Sequence, residues 1–214
     1  MPKIRVLLAE DHTVVRQGLR KILEAEGTVE IVAEVGDGRA ALEAMQQLKP
    51  TVAIVDIGLP GLNGIEVTRQ SAKVAPATHV LILSMHADDA YIRQALKAGA
   101  RGYLLKDADD QDLLKAVAAL SDGGSYFSPA VSRVVLRGYL HESSDPADEL
   151  SLLSTREREV LQLVAEGKSN KEVAQILNVA VSTVESHRKH IMDKLNLHNT
   201  AAVVRFAARK GMVR

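Results

Sequence analysis

The sequence predicts an α/β protein, in which a doubly wound, five-stranded parallel sheet precedes a small all-α unit of four helices. Two observations carry this prediction. In residues 4–120, short apolar runs alternate five times with segments of helical periodicity, which is typical of a parallel sheet covered on both faces. In residues 151–214, no segment has a clear strand pattern, and three capping-box patterns each precede a helical period.

Five β–α units follow one another in the first part of the chain. The predicted strands are Ile4–Ala9, Val29–Val35, Val52–Val55, His79–Leu83 and Gly102–Leu105. The predicted helices are Val14–Leu23, Ala40–Leu48, Ile65–Val74, Tyr91–Leu96 and Leu113–Leu120. Because the strands are apolar nearly throughout, helices are expected on both of their faces.

The pattern changes after the fifth helix. Glycine and serine in residues 121–125 break the periodicity, and Ser128 with Pro129 predicts the start of a helix that runs to about Leu140. The polar segment 141–149 contains a proline and is typical of a linker. We therefore predict one domain at residues 1–122, a linker with one helix at 123–149, and a second domain at 150–214.

Helices are predicted in the last part of the chain at 155–166, 170–178, 182–195 and 199–209. A capping box places a hydroxyl at the helix start and a glutamate three residues later. The pairs that fit are Ser154 with Glu157, Ser169 with Glu172, and Ser182 with Glu185.

Composition narrows the function classes. The chain has no cysteine, which excludes disulfides, thiolate metal sites and a cysteine nucleophile, and no apolar run is long enough for a membrane span. The net charge is zero, but residues 1–150 carry 16 Lys+Arg against 21 Asp+Glu, a balance of −5. Residues 151–214 carry 11 against 6, a balance of +5. This asymmetry indicates two domains with different partners.

Polar residues with complementary chemistry end four of the predicted strands. They are Glu10, Asp11, Asp56, Ser84 and Lys106. In a parallel sheet these positions share one edge, so the carboxylates crowd together and favour a neutralising cation. Ligands that are all oxygen suit Mg²⁺ or Mn²⁺, while a lysine and a hydroxyl suit a phosphoryl group.

This part of the chain resembles the receiver domain of bacterial two-component response regulators, which has a flavodoxin-like sheet. The matching motifs are Glu10-Asp11, Asp56 with the following Gly58-Leu59-Pro60-Gly61-Leu62-Asn63-Gly64, Ser84-Met85-His86, and Gly102-Tyr103-Leu104-Leu105-Lys106. They cover residues 4–120 in the family's order.

The resemblance implies a role for each matching residue. Asp56 is implied to be the phosphoacceptor, and Glu10, Asp11, Asp56 and the carbonyl of Gly58 to hold Mg²⁺. Lys106 is implied to contact the phosphoryl oxygens, Ser84 to move toward the phosphoryl group, and Tyr103 to turn inward with it. From the residues alone, Tyr103 is an edge-of-core tyrosine whose hydroxyl stays in water, an interpretation that is compatible with the implied role.

The last part resembles the LuxR-type helix-turn-helix, so the whole chain resembles response regulators of the NarL/FixJ type. The matching stretches are residues 153–161, Gly167, residues 170–174 and residues 182–191. A recognition helix reads the major groove with its N-terminal outward residues. The expected DNA contacts are Lys171, Ser182, Thr183, Glu185, Ser186, Arg188, Lys189, His190 and Lys194.

Several of these positions admit two interpretations. Glu185 either completes a capping box or accepts a hydrogen bond from cytosine N4. Arg188 lies near the core side of the helix by angle. His187 is expected to pack in the core rather than to bind a metal. The last helix, with Val203, Val204 and Phe206, either forms a dimer contact or closes the small core.

The function implied is a DNA-binding transcription regulator, not an enzyme, controlled by phosphorylation of Asp56 by a sensor histidine kinase. The expected partners are that kinase, a two-fold related site on double-stranded DNA, a second copy of the chain after phosphorylation, and RNA polymerase. We expect a cytoplasmic protein with no membrane contact.

Two alternatives stay open. In the first, the receiver is a dimerisation module and DNA binding does not depend on phosphorylation. In the second, the chain is a Mg²⁺-dependent phosphohydrolase of the haloacid-dehalogenase type, which usually places a second acid two residues after the nucleophile. That position is Gly58 in this chain.

Overall fold

The computed structural model describes residues 3–140 and 149–213, except for the side chains of residues 130 and 136–140. The chain divides into two compact units, Met1–Glu142 and Ser143–Arg214. The linker predicted for residues 141–149 lies outside the described residues, apart from its last position.

The first unit is a parallel sheet with helices between its strands. The strands are β1 (Ile4–Ala9), β2 (Val29–Val35), β3 (Val52–Asp56), β4 (His79–Ser84), β5 (Gly102–Leu105) and β6 (Tyr126–Phe127). The helices are α1 (Thr13–Glu24), α2 (Gly38–Leu48), α3 (Gly64–Val74), α4 (Asp89–Ala98), α5 (Asp110–Ser121) and α6 (Pro129–Leu140). The strand order is β2-β1-β3-β4-β5-β6, so the direction of winding reverses between β1 and β3.

Both faces of the sheet are covered, as the apolar strands predict. On one face, Leu23 of α1 and Leu113 of α5 belong to a buried cluster with Leu8 of β1. On the other, Met45 of α2 and Ile92 of α4 belong to a second cluster, to which β1, β3 and β4 also contribute. The predicted doubly wound α/β class is confirmed.

The predicted strand count is wrong by one. The structure adds β6, a strand of two residues that pairs in parallel with β5 through Gly102 and Tyr103. Two residues are too short to show a period, so hydrophobic patterning could not detect this strand.

Helix α6 packs as part of the first unit. Its Val131 and Val134 are buried in the same cluster as Tyr103 and Ile92, and the helix contacts α4 and β6. The helix begins at Pro129, the residue that the sequence predicts.

The described residues of the second unit form helices joined by short turns, with no strand among them. A short 3-10 helix (Glu149–Leu152) precedes α7 (Thr155–Ala165), α8 (Asn170–Leu177), α9 (Val181–Lys194) and α10 (Thr200–Arg209). Leu161, Val173, Val184, Ile191 and Phe206 form its core with their neighbours.

Two of the three predicted capping boxes are present. The hydroxyls of Ser154 and Ser169 accept hydrogen bonds from the N–H groups of Glu157 and Glu172, whose carboxylates reach back to the N-cap. The third prediction is wrong, because α9 begins at Val181 with Ala180 as its N-cap residue. Ser182 is therefore already helical, and a helical residue cannot act as the cap of its own helix.

No helix among the described residues has the length and apolarity that crossing a membrane requires.

Candidate functional site

The carboxyl ends of the strands bring the predicted acidic site together. Lys106, which follows β5, places its Nζ 2.7 Å from Oε2 of Glu10 and 3.2 Å from Oδ1 of Asp56. Its backbone N–H donates to the carbonyl of Ser84 at 2.9 Å, which joins the ends of β4 and β5. One lysine thus links groups at the carboxyl ends of β1, β3 and β4.

Burial sets the electrostatics of this site. Glu10 is 2% exposed and Asp56 is 5% exposed. Burial raises the pKa of Asp56, and the negative charge of Glu10 adds to this effect. The Lys106 ammonium and the backbone N–H of Gly58 act in the opposite direction. Glu10 and Asp56 share this lysine, and a possible ligand atom of Asp11 lies within 4.8 Å of one of Glu10. The surplus of negative charge fits a divalent cation.

His12 belongs to this site, and the sequence analysis missed it. Its Nδ1 lies 2.9 Å from Oδ1 of Asp11 and 3.1 Å from Oε1 of Glu10, and possible ligand atoms of all three residues lie within 4.8 Å of one another. Its position directly after the two acids is the only signal in the sequence, and a single histidine carries no metal-ligand spacing.

Close backbone approaches hold the loop that follows Asp56. A Cβ on Gly64 would lie 2.2 Å from the carbonyl oxygen of Asp56, so only glycine fits there. The start of α2 closes the loop from the side, where the N–H of Gly38 donates to the carbonyl of Pro60 at 3.2 Å. A Cβ on Gly38 would lie 1.7 Å from the carbonyl oxygen of Leu62. The loop therefore has little room to move.

Ser84 and Tyr103 meet at the backbone of one residue. Oγ of Ser84 accepts a hydrogen bond from the N–H of His86 at 3.0 Å, and the hydroxyl of Tyr103 donates to the carbonyl of His86 at 2.7 Å. The His86 ring stacks on Tyr91 of α4, with the centroids 4.3 Å apart. Tyr103 is 0% exposed, and burial raises its pKa to about 12. The alternative of a hydroxyl that stays in water is wrong.

The second unit presents most of the expected DNA contacts to solvent. The exposed ones are Lys171, Ser182, Thr183, Glu185, Ser186, Lys189, His190 and Lys194. Val184 and Ile191 form the opposite, buried side of α9. The polar side of α9 is therefore exposed to solvent, as expected of a helix that reads the major groove of DNA.

Arg188 and Lys194 also hold the fold together. The guanidinium of Arg188 donates to Oδ1 of Asn170 at 2.7 Å and to Oγ1 of Thr200 at 2.9 Å, which ties α9 to the first residues of α8 and α10. Lys194 Nζ lies 2.7 Å from Oε2 of the capping-box residue Glu157.

The last helix closes the small core. Val203 and Phe206 are 4% and 3% exposed and belong to the core of the second unit, so they are not exposed as expected. Val204 is half-buried, and a dimer contact of this helix stays a prediction.

A buried aspartate lies with acids, a hydroxyl and a lysine at one edge of the sheet, and a helical unit with an exposed polar helix follows. This combination is typical of a regulator in which a receiver domain precedes a DNA-binding domain. Comparison with known proteins supports this class. Residues 6–118 match the response regulator receiver domain family, and residues 151–207 match the bacterial regulatory proteins of the luxR family. The chain belongs to the two-component response regulators of the NarL/FixJ type, which are DNA-binding transcription regulators and not enzymes.

Similar proteins cover the whole chain. The transcriptional regulatory protein MctR of Rhizobium johnstonii is 37% identical over 212 residues, which is 99% of this chain and 96% of MctR. The oxygen regulatory protein NreC of Staphylococcus carnosus is 36% identical over 215 residues, 98% of this chain and 99% of NreC.

Solved structures of a response regulator are also similar to this chain. A structure of the RcsB response regulator of Salmonella typhimurium has a TM-score of 0.60 at 31% identity, covering 98% of this chain and all of that one. An RcsB–DNA complex has a TM-score of 0.59 at 30% identity, covering 96% and 98% of the two chains.

Proposed function

We propose that Asp56 is the phosphoacceptor and that its phosphorylation by a sensor histidine kinase controls DNA binding. A carboxylate oxygen of Asp56 attacks the phosphorus of the kinase's phosphohistidine. A P–O bond forms, the P–N bond breaks, and the electron pair stays on the imidazole nitrogen, which takes up a proton. The observation that carries the proposal is the Lys106 ammonium, which lies 3.2 Å from Asp56 and can neutralise charge on the transferred group.

The acidic residues would hold Mg²⁺, with Mn²⁺ as a substitute. The ligands would be Glu10, Asp11, Asp56 and the carbonyl of Gly58, and the ion would neutralise charge on the phosphoryl oxygens. The contacts of Glu10 and Asp56 with one lysine, and the closeness of the possible ligand atoms of Glu10 and Asp11, support this donor set. His12 would orient the carboxylate of Asp11, whose Oδ1 lies 2.9 Å from Nδ1 of the His12 ring.

Ser84 and Tyr103 would report the phosphoryl group to the rest of the receiver. The Ser84 hydroxyl can turn from the N–H of His86 toward a phosphoryl oxygen on Asp56. His86 also accepts the hydrogen bond of Tyr103, and its ring stacks on Tyr91 of α4. A change in the contact between Ser84 and His86 would therefore affect both Tyr103 and α4. Phosphorylation would then shift an existing equilibrium toward the active state.

DNA contacts would come from α9 and the start of α8. Side chains near the start of α9 would read bases, and the basic residues would contact phosphates. A two-fold related site would place two recognition helices about one turn of DNA apart. We therefore propose a homodimer on phosphorylation, acting in the cytoplasm on double-stranded DNA and through contact with RNA polymerase.

Labelling with radioactive acetyl phosphate and Mg²⁺ tests the phosphoacceptor. Wild-type protein and the exposed-acid control Asp122→Asn should take up label, and Asp56→Asn should take up none. Removing Mg²⁺, or replacing Asp11 with Asn, should slow labelling strongly. Label that persists in Asp56→Asn would refute the assignment.

The phosphorylation-independent alternative has its own measurement. Genomic DNA fragments bound by the wild type should be enriched far more strongly with acetyl phosphate than without it. Equal enrichment for wild type and Asp56→Asn at matched salt would favour the alternative.

A further inference from the structure

The outward side of α9 carries acidic side chains, although this is the side that we propose faces DNA. At helical spacing, the residues opposite Val184 and Ile191 are Ser182, Glu185, Ser186, Lys189 and Asp193, which we call the reading face. It has two carboxylates and one lysine. Because DNA presents phosphates on both sides of the groove, an acid on this face weakens binding to every sequence. A compensating contact is therefore needed wherever such an acid enters the groove.

Within the described part of the chain, no contact of Glu185 explains why this residue is charged. It is exposed, and no hydrogen bond or ion pair holds its side chain within the described part of the chain. The capping role is excluded because α9 begins at Val181, four residues before it. Glu157, in contrast, is buried and completes a cap.

The two acids of the reading face differ in their position along the helix. Glu185 is the fifth residue of α9, and Asp193 is the thirteenth of fourteen. At a rise of about 1.5 Å per residue, they lie about 12 Å apart along the axis. A recognition helix meets base edges near its N-terminal end, so Glu185 reaches the bases and Asp193 does not.

A carboxylate needs a hydrogen-bond donor, and the major groove offers few. Guanine and thymine present acceptors there, which repel a carboxylate. Adenine presents its N6 amino group beside the N7 acceptor, and cytosine presents its N4 amino group alone on its own edge. Cytosine is thus the base that a glutamate at this depth accepts best.

We propose that Glu185 is a specificity-determining residue that selects cytosine at one position of each half-site and lowers affinity for all other DNA. This inference rests on the proposed role of α9 in DNA binding. Within that role, it names the base that the helix selects and the residue that selects it.

Selection from a randomised DNA library tests the proposal. The full chain is treated with acetyl phosphate and Mg²⁺, and bound sequences are compared for wild type, Glu185→Ala, Glu185→Gln and Asp193→Asn. Wild type and Asp193→Asn should prefer cytosine at the same position by roughly 5- to 150-fold, the usual cost of one mismatched base pair. Glu185→Ala should lose that preference. Glu185→Gln should shift it to adenine, which an amide contacts at N6 and N7.

A measurement of the affinity for non-specific DNA distinguishes the effect of negative charge on the reading face from the effect of residue 185 on base preference. Glu185→Gln and Asp193→Asn each remove one negative charge from the reading face, so both should bind non-specific DNA more tightly than wild type. Only the change at residue 185 should alter base preference.

The outcomes distinguish this inference from the function on which it rests. A wild-type motif that Glu185→Ala selects unchanged would overturn the role of Glu185 and leave DNA binding by α9 intact. If the wild type selects no motif, both fail.

Discussion

The hydroxyl of Tyr103 donates a hydrogen bond to the backbone carbonyl of His86, which lies 2.7 Å away in the loop after β4. The N–H of the same residue donates to Ser84. One peptide segment therefore holds both of the side chains that would respond to a phosphoryl group on Asp56, and the stack of His86 on Tyr91 extends this linkage to α4.

Replacing Tyr103 with Phe should weaken the response to phosphorylation without preventing phosphorylation. The variant keeps the buried ring and loses one hydrogen bond, which should lower the free energy of unfolding by about 1 kcal/mol. Acetyl phosphate labelling should match wild type, while the gain in DNA affinity on phosphorylation should shrink. A full gain in affinity would show that the hydrogen bond to His86 is not part of the linkage.

Gly38→Ala should impair the phosphoacceptor site from the first residue of α2. The added Cβ would meet the carbonyl of Leu62 at 1.7 Å, so the loop after Asp56 must shift. A displacement of about 1 Å should slow labelling of Asp56 by roughly ten- to a hundredfold.

Gly18→Ala is the matched control for this change. Gly18 lies inside α1 and a Cβ there meets nothing within 4 Å. This variant should label normally and gain about 0.5–1 kcal/mol of stability. Normal labelling of Gly38→Ala would contradict the proposal that a Cβ at residue 38 displaces the loop after Asp56.

Ala180→Ser should stabilise the second unit. Residue 180 is the N-cap of α9, with extended backbone angles of φ −68° and ψ 149°, and no side chain caps the helix. A serine there can accept from the N–H groups of the first turn, which should add about 1 kcal/mol. Hydrogen exchange of α9 amides in the full chain should slow accordingly. Ser169→Ala, which removes an existing cap, should have the opposite effect on α8.

The ion pair between Lys194 and Glu157 should make the second unit sensitive to acid. Burial by itself would raise the pKa of Glu157, but hydrogen bonds from Lys194 and Ser154 outweigh it and hold the pKa below its usual 4.5. A carboxylate with a lowered pKa stabilises the fold above pH 4.5, and this contribution is lost as the pH falls through its folded value.

Lys194→Gln should therefore unfold at a lower temperature than wild type at pH 7. The difference should narrow below pH 4.5, where Glu157 takes up a proton in both proteins. Calorimetry of the full chain across this range measures the effect, and a constant difference would rule out Glu157 as its source.

Strong local patterns made most of the fold predictable. Each of the first five strands is an apolar run followed by a helical period, and Glu10 and Asp56 were expected to meet because parallel strands end at the same edge. β6 was missed because a strand of two residues is defined only by its pairing with β5.

The features of the two candidate sites that the sequence does not predict also depend on the folded structure. His12 joins the acids through the turn after β1, and its hydrogen bonds to Glu10 and Asp11 cannot be read from spacing. Ser182 and Glu185 fit the capping pattern, yet α9 starts earlier and the pattern falls inside the helix. The contacts of Arg188 depend on how three helices meet.

Because Val131 and Val134 of α6 are buried beside Ile92, they limit where the chain can be truncated or joined to another domain. The receiver family match ends at residue 118, but the first compact unit of the structure includes α6. A fragment trimmed to the family boundary, or a chimera joined there to another output domain, would uncover apolar surface on α4 and aggregate more readily. The segment exchanged as one piece should therefore include Pro129–Leu140.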